Sequence, residues 1–255
     1  MTPRRLVPVL ALALLAPALA ACGGSDGDGD GTTLTVYAAA SLKKTFGELG
    51  TEFEKTHEGV TVELVLGGSA DLVSQLQNGA DADADVFASA DTKNMDKLTA
   101  DDLEGQDPQD FATNTLEIVT PPDNPAGVED LQDLTGDLDL VLCAPEVPCG
   151  AAAQKLAAAA GLSFDPVSEE QSVADVLGKV TSGQADAGLV YVTDVLAAGD
   201  DVRGIEFPES SQVVNTYPIT TIRGSDEDDL AQQFVDLVLG AQGQQVLQDA
   251  GFGAP

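Results

Sequence analysis

The sequence predicts an α/β protein of two lobes, each a mostly parallel sheet with helices on both faces, joined by a double hinge. Three observations predict it. Apolar β-rich runs alternate with stretches of helical period, which is the rhythm of βα units stacked into parallel sheets. Two extended segments without helix signals, "FATNTLEIVTPPDNPAG" near residue 114 and "SSQVVNTYPITT" near residue 216, offer places for the chain to leave one lobe and return. The chain beyond residue 32 is long enough to bury a sizeable core, as one large domain or two smaller lobes.

Met1 to Ala21 carry Arg4 and Arg5 ahead of the apolar run "LVPVLALALLAPALAA". Pro8 and Pro17 interrupt that run, which is short for a membrane span, so residues 1–21 read as an export signal. It ends in "LAAC", the small-residue pattern that precedes a lipidated cysteine, and Cys22 is the expected mature N-terminus. A plain secretory signal cleaved near Ala20 is the alternative. The following "GGSDGDGDG" suits a flexible tether over residues 22–31, and acyl chains on Cys22 would hold the protein at the outer face of a membrane. The expected lobes are 32–113 with 217–255, and 114–216.

Within the lobes the elements follow in order. "TLTVYAA" reads as a strand, Ser41 to about Lys55 as a helix, "VTVELVL" as a strand, Ser69 to Asn78 as a helix and "ADVFASA" as a strand. "TLEIVTP" and "LDLVLCA" are further strands, followed by an alanine-rich helix around Ala151 to Ala160, a helix from Val173 to Ser182 and the strand "AGLVYV". "VNTYPITTI" is again a strand. The closing "DEDDLAQQFVDLVLGAQGQQVLQDAG" has helical period, with acidic residues in its first turn where the helix dipole favours them.

Net charge is -32, from 43 acidic and 11 basic residues. Such an excess repels phosphate backbones and excludes nucleic acid as a partner. The three cysteines are Cys22, Cys143 and Cys149. In an oxidising compartment the last two, spaced as in "LCAPEVPCG", can form a disulfide. A metal site is not supported there, because two cysteines do not fill a zinc shell and His57 is the one histidine.

Ligands of parallel α/β sheets bind beyond the strand carboxyl ends, where helix N-termini point free N–H groups. Ser41 sits at such a junction in "VYAAASL", and the alanines before it let backbone approach closely. Ser69 repeats the design in "LVLGGSADL", where Gly67 and Gly68 permit a tight turn. "PEVPCGAAAQKL" and "SEEQSVADVL" place Cys149 and Val173 in first helical turns as backbone donors. "AGLVYVTD" puts the phenol of Tyr191 at a strand end; a core or surface tyrosine is the other reading. Together these residues describe an anion held by hydroxyls and amides alone.

Enzyme chemistry finds little support. Ser-His-Asp chemistry would need His57 beside a nucleophile, but "FEKTHEG" reads as a helix C-terminus, where a histidine normally faces solvent and favours the dipole. There is no "GxSxG", no P-loop, and the acidic runs "DADAD" and "DEDDL" lack the spacing and glycine of a calcium loop.

The motifs "VYAAASL", "GGSADLVSQLQNGADADADVFASAD", "VTPPDNPAG", "PEVPCG" and "AGLVYVTD" together resemble the periplasmic molybdate-binding proteins of ABC transporters, two-lobed type II solute receptors. The resemblance runs from about Leu34 to Phe252. It implies a tetrahedral molybdate or tungstate held by the hydroxyls of Ser41, Ser69 and Tyr191 and the backbone amides of Cys149 and Val173. It implies no cofactor and no catalysis, a monomeric chain, and a permease with its ATPase as partners. Cys149 stands where the family usually has a small alanine-like residue, and "GADADADVF" is longer than the usual "GAPADVF". No acid occupies the positions at which an archaeal branch expands the metal's coordination. Sulfate or phosphate receptor, serine hydrolase acting through Ser41 or Ser69, and adhesive lipoprotein are the competing functions.

Overall fold

The computed structural model of the chain describes residues 31–255. The expected export signal, the lipidation site Cys22 and nearly all of the tether lie outside the described residues.

The first lobe begins with β1 (Thr32–Ala39), a 3-10 turn over Ala40–Leu42, α1 (Lys43–Thr56), β2 (Val60–Gly67), α2 (Ser69–Gln77), β3 (Val86–Ala88), α3 (Thr92–Ala100) and β4 (Gln109–Asn114). The second lobe holds β5 (Leu116–Thr120), β6 (Leu140–Cys143), α4 (Pro148–Ala160), β7 (Ser168–Glu170), α5 (Val173–Thr181), β8 (Ala187–Tyr191), α6 (Val192–Ala198) and β9 (Arg203–Ile205). β10 (Asn215–Thr221), α7 (Asp228–Leu239) and α8 (Ala241–Asp249) return to the first sheet.

The sheets have the orders β2-β1-β3-β10-β4 and β7-β6-β8-β5-β9. β1 pairs in parallel with β2 and β3, while β10 runs antiparallel to both β3 and β4. In the second sheet β6 pairs in parallel with β7 and β8, and β5 runs antiparallel to β8 and β9. Each sheet therefore has four strands running one way and one against them. The opposed strand is the one that enters from the other lobe: strands of both lobes end at the cleft, so a chain arriving from across it must run away from it.

Strand alternation divides the packing. Val36 and Ala38 of β1 face the main core, which includes Phe46, Leu49 and Phe53 of α1, whereas Tyr37 faces a second cluster with Leu72 and Leu76 of α2 and Met95 and Leu98 of α3. The α1 residues recur at helical spacing and meet Phe111 and Phe234, with ring centroids 5.6–5.8 Å apart. Each such fully buried ring contributes on the order of 2–3 kcal/mol. In the second lobe α4 starts with Pro148 in its first turn and ends at Gly161, whose φ of 67° closes the helix in the left-handed region.

Elements the sequence reading did not delimit are α3, α6 and the short strands β4, β7 and β9. The closing helical segment is two helices, broken where Gly240 adopts extended backbone between α7 and α8. Cys143 and Cys149 form a disulfide, Cα–Cα 5.7 Å, joining the end of β6 to the first turn of α4.

Candidate functional site

Ser41, Ser69, Cys149, Val173 and Tyr191 line one cavity, together with Ala39, Ala40, Gly67, Gly68, Ala90, Val147 and Pro148. The two serines come from the first lobe and the other three from the second, so both lobes close the space. It is small, about 10 Å³, on the order of one water. Its lining is hydroxyls, backbone and small apolar side chains. No charged side chain lines it.

Its walls are helix beginnings. Ser69 opens α2, Cys149 lies in the first turn of α4, and Val173 opens α5. First-turn N–H groups have no intrahelical acceptor, and no backbone acceptor takes those of Cys149 or Val173 among the described residues. These helices each present about half a positive charge at their start. That supplies cationic character to a chain of net charge -32 without a buried lysine or arginine, whose own desolvation would be costly.

The hydroxyls have fixed neighbours behind them. Ser69, 1% exposed, accepts from the N–H of Ala90 at 3.0 Å, so its own proton is free for the cavity. Ser41 shares a hydrogen bond of 3.1 Å with Tyr217, a fully buried tyrosine of β10. Tyr191, also buried, accepts from the Asn215 amide at 2.9 Å. Burial pushes both phenols well above the usual tyrosine range, so they stay protonated donors. The N–H of Tyr191 in turn donates to Asp194 at 3.0 Å, closing the first turn of α6; burial raises that carboxyl to about 7, partly offset by this bond.

Gly68 is required by a close approach. A Cβ there would lie 2.0 Å from the carbonyl oxygen of Gln171, which belongs to the opposite lobe. Gly150 serves the disulfide loop likewise: a Cβ on it would lie 2.0 Å from the Ala144 oxygen and 2.5 Å from that of Cys143. The loop thus seats the start of α4 directly on the end of β6, which fixes the Cys149 amide.

A wider groove of about 650 Å³ adjoins the cavity through Ala40 and Ser41 and bears Lys43, Lys44, Asp194 and Asp249. His57 is elsewhere. Its Nδ1 lies 2.8 Å from the Phe53 oxygen and its Nε2 3.0 Å from Gln233 Oε1. α1, 14 residues or about 21 Å long, separates it from Ser41, so His57 is not a base for that serine.

Three residues of this arrangement were not read from the sequence: Ala90, Asn215 and Tyr217. Their roles arise from pairing across long chain separations. Asn215 and Tyr217 are two residues apart on β10 and both buried, but the strand is buried along nearly its whole length, so its pattern does not single them out.

Strand carboxyl ends, helix N-termini and a double chain crossing around one small cavity define the class of two-lobed solute receptors. Residues 34–253 match the bacterial extracellular solute-binding protein family, and the chain belongs to it. It is 43% identical over 254 residues, 96% of this chain and 97% of the relative, to the molybdate-binding protein ModA of Mycobacterium tuberculosis. It is 30% identical to the molybdate-binding protein ModA of Escherichia coli, over 86% of this chain and 88% of that one. The periplasmic molybdate-binding protein of Azotobacter vinelandii shares the fold at a TM-score of 0.75 and 24% identity, covering 87% of this chain and 99% of that one. The chain is a solute-binding protein and not an enzyme. No described helix is long and apolar enough to cross a membrane.

Proposed function

We propose that this protein binds molybdate or tungstate in the interlobe cavity and delivers it to an ABC permease and its ATPase for import. The observation that carries the reading is the convergence of Ser41, Ser69, Tyr191 and the amides of Cys149 and Val173 on one cavity lined by no charged side chain. The first-turn amides and the hydroxyls of Ser69 and Tyr191, whose acceptor sides are taken by Ala90 and Asn215, offer donors, which matches a fully deprotonated tetrahedral dianion, each of whose oxygens only accepts. The mycobacterial and enteric relatives named for molybdate binding support that choice of ion.

The lobes are 32–113 with 217–255, and 114–216, save that β4 and β10 carry Asn114, Asn215 and Thr216 into the first sheet, which puts the hinges near Thr115 and just before Asn215. Closure about these hinges traps the ion and presents the closed surface to the permease. Cys22 carries the lipid anchor, and the acidic tether gives the monomeric receptor reach at the outer face of the cell membrane.

Calorimetric titration with molybdate, tungstate, sulfate and hydrogen phosphate tests the reading. One-to-one binding of the first two, with the others weak or silent, is expected. Binding of sulfate or hydrogen phosphate in their place would keep the cleft and change the ion; silence with all four would remove the receptor function.

A further inference from the structure

The acceptor side of Tyr191 is already occupied, and by a side chain. Asn215 Nδ2 donates to the carbonyl oxygen of Ala90 at 2.9 Å and to Tyr191 Oη at 2.9 Å. A carbonyl oxygen only accepts, so the atom facing it is the amide nitrogen, and that nitrogen can only donate to the phenol as well. Both residues are buried, at 7% and 1% exposure. A phenol oxygen has one good in-plane direction for accepting, and Asn215 fills it. The Tyr191 proton is left with two directions: the cavity, and the hydroxyl of Tyr217, whose ring lies edge-on at 5.9 Å between centroids. A dianion in the cavity is the stronger acceptor.

We propose that Asn215 determines specificity at one remove: by donating to Tyr191 it holds that hydroxyl as a pure donor toward the cavity, and so excludes oxyanions that carry a proton. The proposal rests on the oxyanion-receptor reading above. A hydrogen oxyanion needs one acceptor for its proton. A free hydroxyl can supply it by turning over, but a hydroxyl whose lone pair is claimed cannot, so a ligand proton facing Tyr191 is buried without a partner there. Ser69 is held in the same sense by the main-chain N–H of Ala90. Asn215 holds its hydroxyl through a side chain, so substitution can release it.

Selenate and hydrogen arsenate separate the effect. At mildly alkaline pH both are dianions of nearly equal size, and they differ by one proton. Each is titrated as a competitor against bound molybdate, in the wild-type protein and in Asn215→Ala, with Asn215→Leu as a second variant that fills the space without donors. Hydrogen arsenate is expected to gain on selenate by about tenfold or more in both variants, a factor equivalent to about 1.4 kcal/mol. In a Tyr191→Phe background the same substitutions should leave the ratio unmoved. A purely structural Asn215 would shift both anions together, and that result overturns the proposal. So does failure of hydrogen arsenate to displace molybdate from either variant, or an unchanged shift in the Tyr191→Phe background. Absence of molybdate binding by the wild-type protein would instead fall on the receptor reading itself.

Discussion

The backbone N–H of Ala90 donates to Ser69 Oγ at 3.0 Å, which turns the serine's proton away from its own lobe and into the cavity. Ser69→Ala therefore removes two things at once. The lost bond to a charged ligand is worth about 1.5–3 kcal/mol, so oxyanion affinity should fall about tenfold to a hundredfold. The Ala90 N–H is left buried without a partner, which should lower unfolding free energy by about 1–3 kcal/mol. Ser41→Ala should show the first effect with less of the second, because Ser41 is only half-buried and its neighbour is a hydroxyl that can turn to other partners. Calorimetry and denaturant melts on both variants check the contrast; equal losses of stability would contradict it.

Gly68→Ala tests closure. Gly68 has φ -66° and ψ 137°, which alanine adopts freely, so the substitution does not strain the open lobe. Its Cβ would instead meet the Gln171 oxygen of the opposite lobe at 2.0 Å. The variant should keep the unliganded melting temperature and bind at least about tenfold more weakly. Its radius of gyration, measured by small-angle scattering, should no longer shrink on adding ligand; normal compaction would show that the contact does not limit closure.

The parts of this site that were legible in the sequence are those made by a single junction. Ser41 and Ser69 each follow an apolar run where a helix begins, Cys149 and Val173 lie in first helical turns, and Tyr191 ends an apolar run, so each is a feature of local pattern. The α/β rhythm was legible for the same reason. α3 escaped notice although its start signal is present: Asp91 caps it by accepting from the Asn94 N–H at 2.9 Å. Its stripe of Met95 and Leu98 is too brief to stand out. β4 and β9 are edge strands that show no alternation: β9 has three residues, and the buried Phe111 and Ala112 of β4 are neighbours in sequence. Asn215 and Tyr217 could not be assigned, because Ser41 and Tyr217 are 176 residues apart in the chain and only the fold brings them together.

The disulfide and Gly150 share the task of seating α4, and substitution can separate them. Replacing both Cys143 and Cys149 by serine reopens a short loop and should lower unfolding free energy by about 2 kcal/mol in the loop-entropy account. Ligand affinity should change little, since the Cys149 amide still rests on the close packing of Gly150 against Ala144. Gly150→Ala, with the disulfide intact, should do the opposite: it must displace the first turn of α4 and weaken binding more than the double serine variant does. Titration of the two proteins side by side decides the order.

Glu117 gives the fold a pH dependence of a sign unusual for a carboxylate. It lies on β5 at 8% exposure, beside a pocket of about 470 Å³ that it shares with Glu206. Burial first, and then repulsion from Glu206, raise its pKa from 4.5 to about 7. The folded state thus holds this proton more tightly than the unfolded chain does. Its stabilising effect is complete below about 4.5 and is lost as pH rises toward 7, so stability declines across that window. Glu117→Gln keeps the shape without the charge. It should flatten part of the decline and, above pH 7, exceed the wild-type protein by about 1–2 kcal/mol, a figure reduced from the full shift because the carboxyl borders an open pocket. Asp194, raised to about 7 by burial, slopes the same way, so a residual decline should persist in the variant. Denaturant melts of the two proteins from acid to mildly alkaline pH would measure it, and parallel curves would mean that Glu117 is solvated enough to ionise without cost.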